Sequence, residues 1–280
     1  MVWINYNGKI LDSTTPVITA DNRSLRYGYG LFETLKYSSG EILMWIAHTD
    51  RLWAGLDLLS INLPSHFTPD KLQKESLQLL QKNKLETARL RITVTGGAGG
   101  LFDGTEVAHY IIECWPLETR KELLNSNGLE LCIYRDAMKS YDIFSNLKHN
   151  NFLLYVMAAK AAKKLKCNDA IILNQYGRIC ETAIANIFLI KNEKIYTPPL
   201  DEGCIAGTMR AFLLKNLPLL GFTVIEQSLT ERDLWESDEI FTCNSVNSLR
   251  HVSDIENHSY GNMATIKLVE KLNGHFPSIY

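Results

Sequence analysis

The sequence predicts an α+β protein of two domains, and three observations lead there. The chain has 280 residues, and that length favours two domains over one large core. Apolar residues recur in some segments at strand spacing and in others at helix spacing. Between Trp115 and Gly128 the run Trp-Pro-Leu-Glu-Thr-Arg-Lys-Glu-Leu-Leu-Asn-Ser-Asn-Gly mixes proline, charge and turn residues. The boundary falls in that run, giving an N-terminal domain over 1–118, a linker over 119–128 and a C-terminal domain over 129–280.

Val2 to Ile4, Asn7-Gly8 and Lys9 to Leu11 read as a hairpin, because Asn-Gly supplies the positive φ angles of a tight turn. Thr68-Pro-Asp-Lys is a helix start, a hydroxyl cap followed by proline, and Leu72, Leu77 and Leu80 follow at helical spacing. Ala88 to Thr95 alternates, with Ala88, Leu90, Ile92 and Val94 on one face and Arg89, Arg91, Thr93 and Thr95 on the other. The polar face is expected to line a cleft. Val107 to Cys114 is a further apolar strand. Beyond the linker, strands are expected at Leu129 to Tyr134, Asp169 to Leu173, Ala183 to Ile190 and Glu239 to Thr242. Helices are expected at Asn150 to Lys166, Gly207 to Leu217, Glu231 to Trp235 and Met263 to Leu272.

Apolar residues make up 46% of the chain and the net charge is −2, a balance that disfavours nucleic-acid and membrane partners. The N-terminus carries no basic segment leading into a long apolar one, and no run is long enough to span a bilayer. Six cysteines stand without C-x-x-C spacing, most of them in apolar runs, which points to a reducing cytoplasm and no zinc. His109 alternates within a strand, and His251, His258 and His275 have no carboxylate or thiol partners at ligand spacing, so no metal site is expected.

Chemistry concentrates elsewhere. Lys148, in Phe144-Ser-Asn-Leu-Lys-His-Asn-Asn151, lies between an apolar segment and a Leu/Ala-rich helix, where burial favours a nucleophilic amine. Glu181 follows in Cys180-Glu-Thr-Ala-Ile-Ala-Asn-Ile-Phe188. A lysine amine can hold an aldehyde cofactor, and a carboxylate can keep a pyridine nitrogen protonated; together they suggest pyridoxal phosphate. Gly203-Cys-Ile-Ala-Gly-Thr-Met-Arg210 runs into a helix whose first amides could meet a phosphate, or it is an ordinary loop. In His48-Thr-Asp-Arg-Leu52, Arg51 could reach a phosphate, or pair with Asp50 or Asp57.

These blocks, with Asp21-Asn-Arg-Ser-Leu-Arg-Tyr-Gly-Tyr-Gly-Leu-Phe-Glu33 and Phe241-Thr-Cys-Asn-Ser245, occur in the order of the class IV aminotransferase family, which the chain resembles over nearly its whole length. The resemblance implies fold type IV of the pyridoxal phosphate enzymes, with a smaller N-terminal α/β domain and a larger, mixed, β-barrel-like C-terminal domain. It implies that Lys148 is the Schiff-base lysine and that Glu181 pairs with the pyridine nitrogen. Arg51 and the amides of Thr208 and Met209 fall on phosphate contacts, Asn186 on a cofactor contact, and Asn244 and Ser245 on a loop touching phosphate and substrate. Tyr27, Phe32 and Arg91 fall on substrate-pocket positions.

The resemblance also implies a homodimer acting on small amino or oxo acids. Two activities stand side by side. One is transamination from a branched-chain-like amino acid to a 2-oxo acid. The other is the lyase reaction that releases pyruvate from 4-amino-4-deoxychorismate to give 4-aminobenzoate. Branched-chain aminotransferases share Tyr27 and an arginine at Arg91. Lyase relatives share the Lys-His-x-Asn pattern of Lys148 to Asn151, the pair Cys243-Asn244 and a Gly-rich stretch like Gly96 to Gly100, with lysine at Arg91. D-amino acid aminotransferases place an arginine where Gly96 stands, which puts that activity in doubt.

Overall fold

A computed structural model describes residues 2–104, 107–118 and 123–277. The chain forms two compact units, one of Met1–Thr119 with Lys148–Phe152, the other of Arg120–Leu147 with Leu153–Tyr280. Positions 119–122 of the expected linker lie outside the described residues.

The first unit contains β1 (Trp3–Tyr6), β2 (Lys9–Asp12), α1 (Arg23–Tyr27), β3 (Gly30–Ser38), β4 (Glu41–Ile42), α2 (Trp45–Leu58), α3 (Pro69–Lys82), β5 (Ala88–Thr95) and β6 (His109–Pro116). Its six strands run in the order β2-β1-β6-β5-β3-β4, and every neighbouring pair is antiparallel. The β1–β2 hairpin turns through Asn7 at φ 50° and Gly8 at φ 85°, the left-handed pair that Asn-Gly favours. Thr68 caps α3, its hydroxyl accepting from the Lys71 amide at 3.2 Å.

Leu72, Leu79 and Leu80 of α3 are buried, but Leu77 is exposed. Counting by turns from Leu72 brings Leu79 and Leu80 back to its face and leaves Leu77 on the far side. In β5, Leu90, Ile92 and Val94 are buried while Arg89 is exposed and Arg91 and Thr93 are half-buried, as alternation requires. The strand expected from Val107 begins instead at His109, Val107 itself making an isolated bridge to Asn62.

The second unit contains β7 (Leu129–Lys139), α4 (Leu153–Leu165), β8 (Asp169–Asn174), β9 (Ile179–Thr182), β10 (Asn186–Lys191), β11 (Lys194–Thr197), α5 (Thr208–Asn216), β12 (Thr223–Glu226), α6 (Glu231–Trp235), β13 (Glu239–Asn244), β14 (Ser248–Ile255), β15 (His258–Ser259) and α7 (Met263–His275). Nine strands form one sheet in the order β12-β11-β10-β13-β14-β7-β8-β9, with β15 on β14. The pairs β11/β12, β14/β7 and β7/β8 are parallel. At the end of that path β9 returns against β10, so the sheet curls into a half-barrel. Its core includes Leu131, Ile133, Ile171, Ile187, Leu189, Ile240 and Val252.

Two differences from the sequence reading bear on the site. The helix expected from Asn150 starts at Leu153, because Lys148 O and the Asn150 amide bond the backbone of Phe32 and Gly30 and His149 bridges Leu31. β7 runs on past Tyr134 to Lys139, through a register shift against β8. Among the described residues, no helix is long and apolar enough to cross a membrane, and no His, Cys, Asp and Glu group could hold a metal ion.

Candidate active site

In the first unit, the segment carrying Lys148 is fixed by its backbone. Lys148 O accepts from the Phe32 amide at 2.9 Å, and the Asn150 amide donates to Gly30 O at 2.8 Å. Asn150 Nδ2 reaches Val94 O at 3.2 Å, and a Cβ at Gly30 would meet the same carbonyl at 2.3 Å. Only glycine lets these chains approach so closely. The anchoring sets Lys148 Nζ over the ring of Phe32, 4.6 Å from its centroid, and 5.4 Å from that of Phe152. Arg91 packs on the Phe32 ring at 3.8 Å and its Nε donates to Thr93 Oγ1 at 3.1 Å. Phe32 is buried and brings the two cations to one aromatic ring. Burial lowers the pKa of Arg91, against the pull of Glu113 opposite it on β6.

Arg51 has an acidic partner that the sequence did not suggest. Glu33 of β3 accepts from its Nε at 2.8 Å and its Nη2 at 2.5 Å, where Asp50 or Asp57 had been the alternatives. His48, one turn earlier on α2, places Nδ1 2.6 Å from Glu33 Oε2. Burial pushes Glu33 up, but Arg51 and then His48 outweigh it and hold the carboxyl at about 2. Burial in turn lowers the pKa of His48, against the opposing pull of Glu33. The available signal was in β3 itself: Glu33 alternates with Leu31 and Leu35 on a face that must be buried.

In the second unit, Glu181 is buried and heavily bonded. Its Oε1 takes Lys139 Nζ at 2.5 Å, Tyr155 Oη at 2.7 Å and the Ile205 amide at 3.1 Å. Its Oε2 takes that amide at 3.1 Å and Asn186 Nδ2 at 3.5 Å. Sequence reasoning missed Lys139 and Tyr155, which no local pattern ties to Glu181. Asn186 also donates to Ile205 O at 3.0 Å. Thr208 and Met209 begin α5 behind Gly207, which brings no side-chain cap. Asn244 Oδ1 accepts from the Val246 and Asn247 amides at 3.1 and 2.8 Å, an Asx turn that shapes the loop containing Ser245.

Tyr27 ends α1 and is exposed. Tyr29 is tied down, its hydroxyl donating to Leu59 O at 2.6 Å and its ring lying under Arg23 at 4.6 Å. A Cβ on Gly96 would meet that ring at 2.0 Å. The arginine that D-amino acid aminotransferases place there therefore has no room. Gly96→Ala is expected to cost about 2–3 kcal/mol by forcing the ring aside. Thermal melting checks this, and adding Tyr29→Ala to Gly96→Ala should make the glycine substitution nearly neutral; an unchanged penalty would refute the clash.

The chain is similar in sequence and fold to known proteins. The model of the family described as amino-transferase class IV matches residues 30–255. The aminodeoxychorismate lyase of Vibrio harveyi is 31% identical over 238 residues, spanning 84% of this chain and 86% of that protein. The branched-chain-amino-acid aminotransferase of Pseudomonas aeruginosa is 25% identical over 285 residues, spanning 97% and 90%. A T.th. branched-chain amino acid aminotransferase, solved with pyridoxamine 5'-phosphate, superposes with a TM-score of 0.84 at 19% identity, covering 99% of this chain and 96% of that one.

The chain belongs to the class IV aminotransferase family, and its fold is fold type IV. It is an enzyme of the kind this family comprises, the pyridoxal phosphate-dependent aminotransferases and lyases. The residues present fit the cofactor that the family implies. Glu181 offers a buried carboxylate with the Lys139 and Tyr155 side chains on Oε1 and the longer contacts from the Ile205 amide and Asn186 on Oε2, so Oε2 is the less engaged oxygen for a protonated ring nitrogen. Gly207 keeps the approach to α5 narrow, since a Cβ there would meet Asn186 Oδ1 at 1.9 Å; that backbone and the helix dipole suit a phosphate.

Proposed function

We propose that the enzyme transfers the amino group of a branched-chain-like amino acid to a 2-oxo acid, working as a homodimer in the cytoplasm. The observation that carries this reading is the pair of cations on Phe32. Lys148 Nζ at 4.6 Å is the group to bind the cofactor and move a proton, and Arg91 at 3.8 Å is a guanidinium for the substrate carboxylate. Bound pyridoxal phosphate supplies an aldehyde for the substrate amine and a ring that withdraws electrons from Cα.

The chain's residues do the rest. Lys148 would be the group that takes and returns the proton at the substrate Cα. Arg51 of the first unit and, in the second, the Thr208 and Met209 amides and the loop of Asn244 and Ser245 are the groups that would hold the phosphate. Glu181, with Asn186 beside it, orients the ring nitrogen. Tyr27 would border the substrate, and the rings of Phe32 and Phe152 flank the amine at 4.6 and 5.4 Å.

The lyase reading is favoured by the Vibrio harveyi relative at 31% identity and by Asn244, which lyase relatives share. There Lys148 would take a proton while the carbon–oxygen bond to the enolpyruvyl group breaks, leaving 4-aminobenzoate and pyruvate. Presenting the cofactor-loaded enzyme with leucine plus 2-oxoglutarate, and separately with 4-amino-4-deoxychorismate, decides between them. Glutamate formation is the expected result. Pyruvate release without amino transfer would replace this reading with the lyase.

A further inference from the structure

Lys139 has no role in the function described so far, yet it is among the most buried charged groups of the protein, 5% exposed against the 3% of Glu181. A buried ion pair is a poor way to gain stability, since desolvation offsets most of its attraction. The local fold delivers it all the same. Residues 135–138 of β7 are exposed, and after the register shift between Tyr134 and Lys139 the strand pairs Lys139 with Asn174 and turns it inward. Bulges of this kind re-aim side chains beside functional sites. Tyr155, in the first turn of α4, completes the arrangement: its hydroxyl donates to the oxygen that Lys139 engages, and its ring faces the ammonium at 5.2 Å.

We propose that Lys139 is a positioning residue that sets how firmly Glu181 holds the proton of a pyridine nitrogen. The inference rests on the cofactor reading above. A carboxylate that balances a buried ammonium has less negative charge to offer a second cation. A ring N–H⁺ at Glu181 therefore competes with Lys139, and its proton is held more loosely than by an unshared carboxylate. With Tyr155 and Lys139 on Oε1, Oε2, which takes the Ile205 amide at 3.1 Å and Asn186 Nδ2 at 3.5 Å, is the less engaged oxygen for the ring.

The other titratable groups facing Glu181 stay protonated near neutral pH. Burial raises Tyr155 and Cys180, and Cys204 is pushed up to about 12. A change in ring protonation in the neutral range thus reports on Glu181 and Lys139.

The test uses the full-length enzyme loaded with pyridoxal phosphate labelled with ¹⁵N in the ring, its chemical shift followed against pH. Lys139→Met and Lys139→Gln are expected to move the deprotonation midpoint up by about one unit or more, and Lys139→Arg to restore it. In parallel, preference for pyridoxal phosphate over its 1-deaza analogue should rise about tenfold in the two neutral variants. The glutamine variant keeps a hydrogen-bond donor at the site should methionine fail to fold. Unchanged midpoint and preference in the neutral variants, with Glu181→Gln still shifting both, would overturn the role of Lys139 and leave the cofactor reading standing. Absence of cofactor uptake by the unmodified protein would overturn both.

Discussion

Replacing Lys148 with alanine is expected to lower turnover about ten-thousand-fold or more while leaving the protein folded. The side chain is half-buried, and the bonds that anchor its segment are made by backbone: Lys148 O to the Phe32 amide and Gly30 O to the Asn150 amide. Alanine keeps them. What disappears is the amine over Phe32, which under the proposed function both binds the cofactor and carries the proton. Borohydride reduction followed by peptide mass spectrometry should attach the cofactor to Lys148 in the unmodified enzyme and to nothing in the variant. An added primary amine should restore a little activity, because part of what the lysine supplies is an amine at that place. A variant that turned over at the normal rate would remove Lys148 from the chemistry.

Much of the path to that lysine was legible in the sequence, for identifiable reasons. The Asn7-Gly8 turn, the Thr68-Pro69 start of α3 and the alternation of Ala88 to Thr95 are local signals, set by backbone preference and by the need to bury one face. Residues 150–152 were misread as the start of α4 because the conformation of the segment 148–152 is imposed from outside. They pair with Gly30 and Phe32, residues remote in sequence, and no local pattern announces such pairing. β9 went unread for a related reason: Ile179–Thr182 is a short strand, fixed by antiparallel pairing with β8.

The site divides in the same way. Glu181 stood out because it is an acid inside an apolar block, but its partners did not. Lys139 closes a strand whose four preceding residues, two of them charged, are solvent-facing, so its sequence neighbourhood describes a surface lysine. Only the register shift in β7 turns it inward. Arg51 was likewise recognisable, while the acid that holds it lies on a strand under α2 rather than on the helix itself.

That acid gives the largest expected effect on stability. Glu33 is 2% exposed and bonded to both His48 and Arg51. Breaking such a buried pair costs about 3–5 kcal/mol, because the remaining charge loses its partner without regaining water. Glu33→Gln is therefore expected to lower the unfolding free energy by that amount at neutral pH. The pH dependence distinguishes this from a simple packing defect. The folded carboxyl is held at about 2, below its ordinary 4.5, so over that interval the unfolded chain binds a proton that the folded one does not. Its contribution, about 3 kcal/mol, is fully present above the ordinary value and is lost as pH falls toward the folded one. His48 adds to the loss on the acid side: its folded pKa is lowered from 6.5, so below that value the unfolded chain again takes up the proton first. Urea unfolding of both proteins at steps between about pH 7 and about pH 3 should show the gap between them narrowing through the carboxylate range. The variant should also bind pyridoxal phosphate less tightly, since Arg51 would lose the acid that fixes its guanidinium. A gap that stayed constant across the series would mean that the charge of Glu33 contributes nothing and that only its shape matters.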